Sequence, residues 1–283
     1  MAKIGPIFIG GTGRSGTTLL QKVLGHHHDI FCLPFESRFI IDTNGLIDLV
    51  FRLTDGWTPV NADIALKSFH RLMLKDLNVR CSYPYRGFRF GWYFSEPFYS
   101  NLVKTFLNDL LTLSFPGRTA LRRGYGSQII YHVSPLSRKE LLERCARFIN
   151  SLFGHKMQEE QKRIWAEKTP HNILHIGFLN SLFPNARFIC IHRDPRDVVA
   201  SLLQKPWAPN RVEGAVQWLL DVYNRYDEVR SSYPDIQVYE VYLESLVENQ
   251  DRELEKLVEF IGLLSDFDFS GVDFSRAHIG RWR

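Results

Sequence analysis

The chain has 283 residues, a formal net charge of +4 and 45% hydrophobic residues. That composition supports one large core, and no apolar run approaches the roughly 20 residues of a membrane-spanning helix. Cys32, Cys81, Cys145 and Cys190 are scattered without paired spacing, which reads as free thiols in a reducing, cytoplasmic setting more readily than as disulfides or a zinc site.

The first predicted strand, Ile7-Phe8-Ile9, lies so close to Met1 that no room is left for a leader peptide. It runs into Gly10-Gly11-Thr12-Gly13-Arg14-Ser15-Gly16-Thr17-Thr18. The glycines let the backbone turn tightly and approach a ligand. Ser15, Thr17 and Thr18 set hydroxyls and backbone N–H groups at a helix N-terminus, whose partial positive charge favours an anion. The stretch reads as a phosphate cradle. Gly11-x-x-x-x-Gly16-Thr17-Thr18 has P-loop spacing, but Thr17 stands where that loop has its lysine. The nearest cation is Arg14, which points to a nucleotide with a differently charged end.

A helix is predicted from Thr17 to Gly25, with Leu19, Leu20, Val23 and Leu24 on its buried side. His26, His27 and His28 follow. Adjacent histidines seldom converge on one ion, so they read as a polar helix end, and no metal site is assigned. Ile30 to Leu33 is a short strand ended by Pro34, and Glu36-Ser37-Arg38 opens the next predicted helix. A carboxylate at a strand end beside a nucleotide loop can take a proton from an acceptor. It can equally be a helix-start acid favoured by the macrodipole.

Residues 44–135 are less regular and read as an acceptor-binding insertion within a single domain spanning 1–283. Helices are predicted over 63–77 and 97–113. Between them Phe88, Phe90, Trp92 and Phe94 alternate with Arg89 and other residues, as in a half-buried strand or extended loop. Residues 80–130 carry seven Lys/Arg, Arg86 and Arg89 among them, against Glu96 and Asp109, a local field suited to an anionic or ring-bearing ligand. Packing of these aromatics on the core explains them equally well.

Ser137-Arg138-Lys139-Glu140 is a capping-box pattern opening a helix to about Phe153, and 155–163 reads as a solvated connection. Ile164 to Lys168 is a strand ending in a lysine, with Pro170 at a favoured first helical position. The carboxyl end of a strand is where ligands of open α/β sheets gather, which marks Lys168. Ala186 to His192 is a buried strand running into Arg193, with a helix beginning near Asp194-Pro195. Guanidinium suits phosphate because its fork bonds two oxygens; Arg196 and Asp197 read as surface or capping residues. A loop at 206–209, a helix over 211–231, a strand over 236–242 and a helix over 253–262 complete the pattern. Strand–helix alternation gives an α/β fold with a mainly parallel sheet flanked by helices.

Gly13-Arg14-Ser15-Gly16-Thr17-Thr18, Glu167-Lys168-Thr169-Pro170 and Arg193 with Ser201 eight residues on resemble, in order, three motifs of sulfotransferases that use 3′-phosphoadenosine 5′-phosphosulfate (PAPS), closest to the tyrosylprotein branch. The resemblance implies a P-loop-like fold and transfer of a sulfuryl group to a hydroxyl or amine, leaving adenosine 3′,5′-bisphosphate, with no metal. It implies that Gly13, Arg14, Ser15, Gly16, Thr17 and Thr18 hold the 5′-phosphosulfate, and Arg193 and Ser201 the 3′-phosphate. Glu36 is then the general base, with Arg14 and Lys168 catalytic beside it. Arg38, which matches the arginine two residues after that glutamate, is assigned to the acceptor with Arg86, Arg89 and Trp92 of the basic aromatic segment. The tail from Ser275 to Arg283 resembles the family's terminal cofactor loop. There Arg276, Gly280 and Arg281 are assigned to the cofactor, although Ser275, Arg276 and Ala277 depart from the usual pattern. The acceptor is expected to be a glycan, glycolipid, tyrosine or other hydroxyl compound, not a nucleic acid. The alternatives are a P-loop phosphotransferase (kinase) using ATP and Mg²⁺, and a non-catalytic nucleotide- or nucleic-acid-binding protein.

Overall fold

A computed structural model describes residues 4–78, 89–117, 128–263, 274, 279 and 280. In chain order the elements are β1 (Ile7–Gly11), α1 (Thr17–Gly25), β2 (Ile30–Cys32), α2 (Leu46–Leu53), α3 (Pro59–Leu74), α4 (Phe90–Tyr93), α5 (Glu96–Leu110), β3 (Leu113–Gly117) and β4 (Gln128–His132). They continue with α6 (Arg138–Glu159), β5 (Ile164–Lys168), a 3₁₀ segment (Pro170–His175), α7 (Ile176–Leu182), β6 (Arg187–His192) and α8 (Pro195–Leu202). The last are α9 (Val212–Ser232), β7 (Val238–Tyr242), α10 (Leu243–Glu248) and α11 (Gln250–Ile261). The chain divides into two units, one of residues 1–37 with 157–283 and the other of residues 38–156, which encloses the segment 44–135.

The first unit is built on a five-stranded sheet in the order β2-β5-β1-β6-β7. Every pairing in it is parallel. Parallel sheets need cover on both faces, and β1 shows how the sequence provides it. Ile7 and Ile9 face one way, into a cluster with Leu20, Val23 and Leu24 of α1, Leu246 of α10 and Leu254 and Leu257 of α11. Phe8 faces the other way, stacked on Phe188 at 5.8 Å and edge-on to Trp165 at 5.5 Å, with Phe183 alongside. With β1 in the middle, the carboxyl ends of β1, β5 and β6 lie side by side.

The second unit holds an aromatic core. Phe94, Tyr99 and Phe153 are fully buried and stacked, and Phe39, Phe69, Phe90, Phe106 and Phe148 surround them. Tyr99 donates its hydroxyl to the Met73 carbonyl at 2.8 Å, so the one polar end in this core is satisfied. Here the structure corrects the alternation over 88–94. Phe90–Tyr93 is a helical turn, because Phe90 and Phe94, four residues apart, both face the core; Phe88 lies outside the described residues. Trp92, on the other side of the turn, is 81% exposed.

Three further boundaries differ from expectation. Glu36-Ser37-Arg38 does not open a helix: Arg38 and Asn44 have φ of 60° and 65°, and the next helix waits until Leu46. The segment 155–163 is helical through Glu159, because α6 carries its hydrogen bonding past the polar change in composition. Leu113–Gly117 and Gln128–His132 form an antiparallel hairpin where no strands were predicted. Cys32, Cys145 and Cys190 are free thiols, and Cys81 lies outside the described residues.

Phe94→Ala should destabilise the protein by about 3–5 kcal/mol, the usual cost of emptying a buried aromatic site. Trp92→Ala should stay within about 0.5 kcal/mol. Chemical denaturation monitored by fluorescence and circular dichroism measures both.

Candidate active site

The loop after β1 is shaped by contacts that leave no space for side chains beneath it. A Cβ on Gly10 would stand 2.9 Å from the Ile173 backbone nitrogen and 3.0 Å from the Pro170 carbonyl oxygen, and one on Gly11 would stand 2.6 Å from the Ile191 carbonyl. Gly13, Arg14 and Gly16 take positive φ (76°, 61° and 105°), which turns the chain over the end of β1. A Cβ on Gly13 would meet nothing within 4 Å, so the top of the turn is open. No side chain caps the first turn of α1. Ser15 Oγ is buried and has no hydrogen-bond partner among the described residues. An uncapped helix start and an orphaned buried hydroxyl fit an anion.

At the end of β6 a second anion-binding group is tied to the first. Arg193 Nη1 donates to the Arg14 carbonyl at 3.1 Å, and Arg14 Nε donates to Ser201 Oγ at 3.0 Å. The chain thus brings Arg14, Arg193 and Ser201 together across 179 and 187 residues of sequence. Asp194 caps α8, accepting from the Arg196 N–H at 2.9 Å, and its carboxylate pairs with the Arg196 side chain. Asp197, in contrast, is no surface residue: it is fully buried, 3.5 Å from Arg193 Nη2, and accepts the Gly280 N–H at 2.7 Å. Alongside, Arg193, Asp194, Pro195, Arg196, Tyr242 and Glu244 line a cavity of about 450 Å³, and the Tyr242 ring there is 57% exposed.

At the end of β5, Lys168 lies opposite Ile9 in the register and is 3% exposed. Its Nζ is 3.3 Å from Glu36 Oε1. The neighbouring Glu167 is wholly buried and accepts from the Ser37 N–H (3.0 Å), the Thr169 hydroxyl (2.6 Å) and the Asn172 amide (2.7 Å). Asn172 also donates to the Ile9 carbonyl at 3.1 Å. Burial pushes the Glu167 carboxyl upward and these hydrogen bonds pull it back. Glu167 therefore joins the residue after Glu36 to the residue after Lys168 and to the strand that carries the loop.

Of the other assigned positions, Arg38 pairs with Asp42, Arg89 is exposed at the start of α4, and Trp92 is exposed. Arg86, Arg276 and Arg281 lie outside the described residues. The three histidines differ: His26 and His28 are exposed, whereas His27 is buried and its Nδ1 accepts the Asp29 N–H at 3.0 Å. Among the described residues metal-ligand types gather in two places, contrary to expectation: His27, His28 and Asp29 offer ligand atoms within 4.8 Å of one another, and a second group lies where linear spacing hides it. Cys190, His192 and Glu240 offer ligand atoms within 4.8 Å of one another because Cys190 and Glu240 are partners in the β6–β7 register. Glu240 is hydrogen-bonded to His192 Nε2 and accepts the Tyr226 hydroxyl.

Sequence reasoning missed Glu167 and Asp197 as site residues. Each acid meets its partners only through the fold: Glu167 accepts from Ser37 130 residues away, and Asp197 from Gly280 83 residues away. Glu167→Gln sets an amide N–H against another donor and should cost about 1–3 kcal/mol. Glu160→Gln, at an exposed position, should cost within about 0.5 kcal/mol, again by denaturation.

Residues 6–71 and 113–266 match the sulfotransferase family. The omega-hydroxy-beta-dihydromenaquinone-9 sulfotransferase Stf3 of Mycobacterium bovis, and that of Mycobacterium tuberculosis, is 25% identical over 275 residues, covering 93% of this chain. The chain spans 64% of the length of those relatives. The sulfotransferase domain of a Synechococcus olefin synthase superposes with a TM-score of 0.50 at 16% identity, covering 95% of this chain and 77% of that one, which supports the fold alone.

Proposed function

The chain belongs to the sulfotransferase family, and we propose that it moves a sulfuryl group from PAPS to an acceptor hydroxyl. The observation that carries this reading is the bonding of two cationic anion sites to each other: Arg193 to the Arg14 carbonyl, and Arg14 to Ser201. One nucleotide with phosphate groups at both ends of its ribose suits such a pair. The uncapped start of α1 and the orphaned Ser15 hydroxyl fit its 5′ end. Thr17 in the lysine position does not favour ATP, and neither alternative is favoured by the family.

When bound, PAPS supplies the activated sulfuryl group. The backbone N–H groups and hydroxyls of Gly13 to Thr18 hold its 5′ end, and Arg193 and Ser201 hold the 3′-phosphate. Arg14, bonded to Ser201, keeps the two ends in register. The exposed Tyr242 ring beside Arg193 offers a face for a planar base. Glu36 takes the proton of the attacking hydroxyl, a contribution of about 10²–10⁴-fold. Lys168, 3.3 Å from Glu36, stabilises charge developing on the transferring and leaving oxygens. These fixed cations and amides act by position, without reorganising during the reaction.

For the acceptor we propose a hydroxyl compound. The name of the mycobacterial relative supports a hydroxylated acceptor. Labelled sulfate transfer from PAPS, screened across glycans, phenols, tyrosine peptides and hydroxylated isoprenoid lipids, identifies the class. No transfer to any of them would count against the reading.

Glu36→Gln should lower turnover by about 10²–10⁴-fold while leaving the affinity for adenosine 3′,5′-bisphosphate within twofold. Steady-state kinetics and calorimetry measure the two. Arg193→Ala should weaken adenosine 3′,5′-bisphosphate by about 1.5–3 kcal/mol and adenosine 5′-monophosphate by less.

A further inference from the structure

Asp197 is a buried anion one helical turn beyond Arg193, and its Oδ2 meets two partners. One is Arg193 Nη2 at 3.5 Å, and the other is the Gly280 N–H at 2.7 Å, 83 residues away. A carboxylate that is fully buried is tolerated only with such partners. Arg193 is held from a second direction by the Arg14 carbonyl, through Nη1. A guanidinium gripped on both Nη atoms is fixed in plane and direction, which a bidentate phosphate contact requires. Gly280 itself sits at φ 75°, the left-handed region that a side chain disfavours. Its N–H is therefore delivered to Asp197 by a turn suited to glycine.

We infer that Asp197 is a positioning residue that aims Arg193 at the 3′-phosphate and fastens the Gly280 turn to the same place. The inference rests on the nucleotide assignment above and deepens it: selectivity for a 3′-phosphorylated nucleotide depends on a carboxylate that does not touch the nucleotide. One oxygen serves both contacts, so the aim of Arg193 and the docking of Gly280 are lost together when that oxygen is changed.

The test is calorimetric titration of the full chain with adenosine 3′,5′-bisphosphate and with adenosine 5′-monophosphate, for the wild type, Asp197→Asn, Arg193→Ala and the double variant. The wild type is expected to prefer the bisphosphate. Asp197→Asn should lose about tenfold or more of that preference, the order expected for a charge-assisted hydrogen bond, with monophosphate affinity within twofold. In the Arg193→Ala background the same change should alter the preference less than twofold, because the two residues act as one unit. Three outcomes overturn the inference: undiminished preference in Asp197→Asn, an equal loss with and without Arg193, or equal weakening of both nucleotides with a lowered melting temperature. Gly280→Pro removes the N–H and, because proline holds φ near about −65°, the φ 75° turn with it, while keeping the Asp197 carboxylate, and should also lower the preference several-fold. It decides the matter if Asp197→Asn does not fold, an unchanged preference again overturning the proposal. A wild type without any preference for the bisphosphate would instead defeat the nucleotide assignment itself.

Discussion

The bond from Arg193 to the Arg14 carbonyl is the constraint around which the site is organised. It joins the loop after β1 to the end of β6, and only a parallel β1–β6 pairing sets those two ends side by side. It also explains an unusual backbone. Arg14 has φ 61°, a conformation that costs a non-glycine residue on the order of 1–3 kcal/mol and persists only where the surroundings over-determine it. Here the carbonyl is gripped by Arg193 and the side chain by Ser201. The strain buys a cradle whose two cations are oriented before any ligand arrives, which is the physical meaning of preorganisation.

A second cluster lies at the end of β5. Lys168 and Glu36 are opposite charges in contact, one almost wholly buried. A pair of this kind is sensitive to small displacements, because desolvated charges gain or lose strongly with distance. Glu167 accepts three hydrogen bonds, two of them from Ser37 and Thr169, which flank the pair, and one from Asn172. The two clusters share a pattern: a buried carboxylate lies beside a cation at a strand end, Glu167 next to Lys168 and Asp197 3.5 Å from Arg193.

The parts of this arrangement that were legible in the sequence are those in which a strand end and the following helix start are contiguous. The glycine loop, Glu167-Lys168-Thr169-Pro170 and Arg193 to Ser201 each carry local signals of that kind, and each falls at the predicted place. The hidden parts depend on partners far away in sequence. Asp197 meets Gly280 across 83 residues and Glu167 meets Ser37 across 130, so neither acid differs locally from a surface one. The Cys190–Glu240 pairing exists only through strand register. In the second unit alternation misled, because Phe90 and Phe94 satisfy a helical turn and a strand equally well until the core they face is known.

The floor under the loop has a consequence for how this protein can change over generations. Gly10 and Gly11 are hemmed in by main-chain atoms of Ile173, Pro170 and Ile191, and main chain, unlike a flexible side chain, cannot step aside. Drift is closed off at those two positions. Change has to be written into other stretches of the chain, where a replacement meets solvent or a movable neighbour.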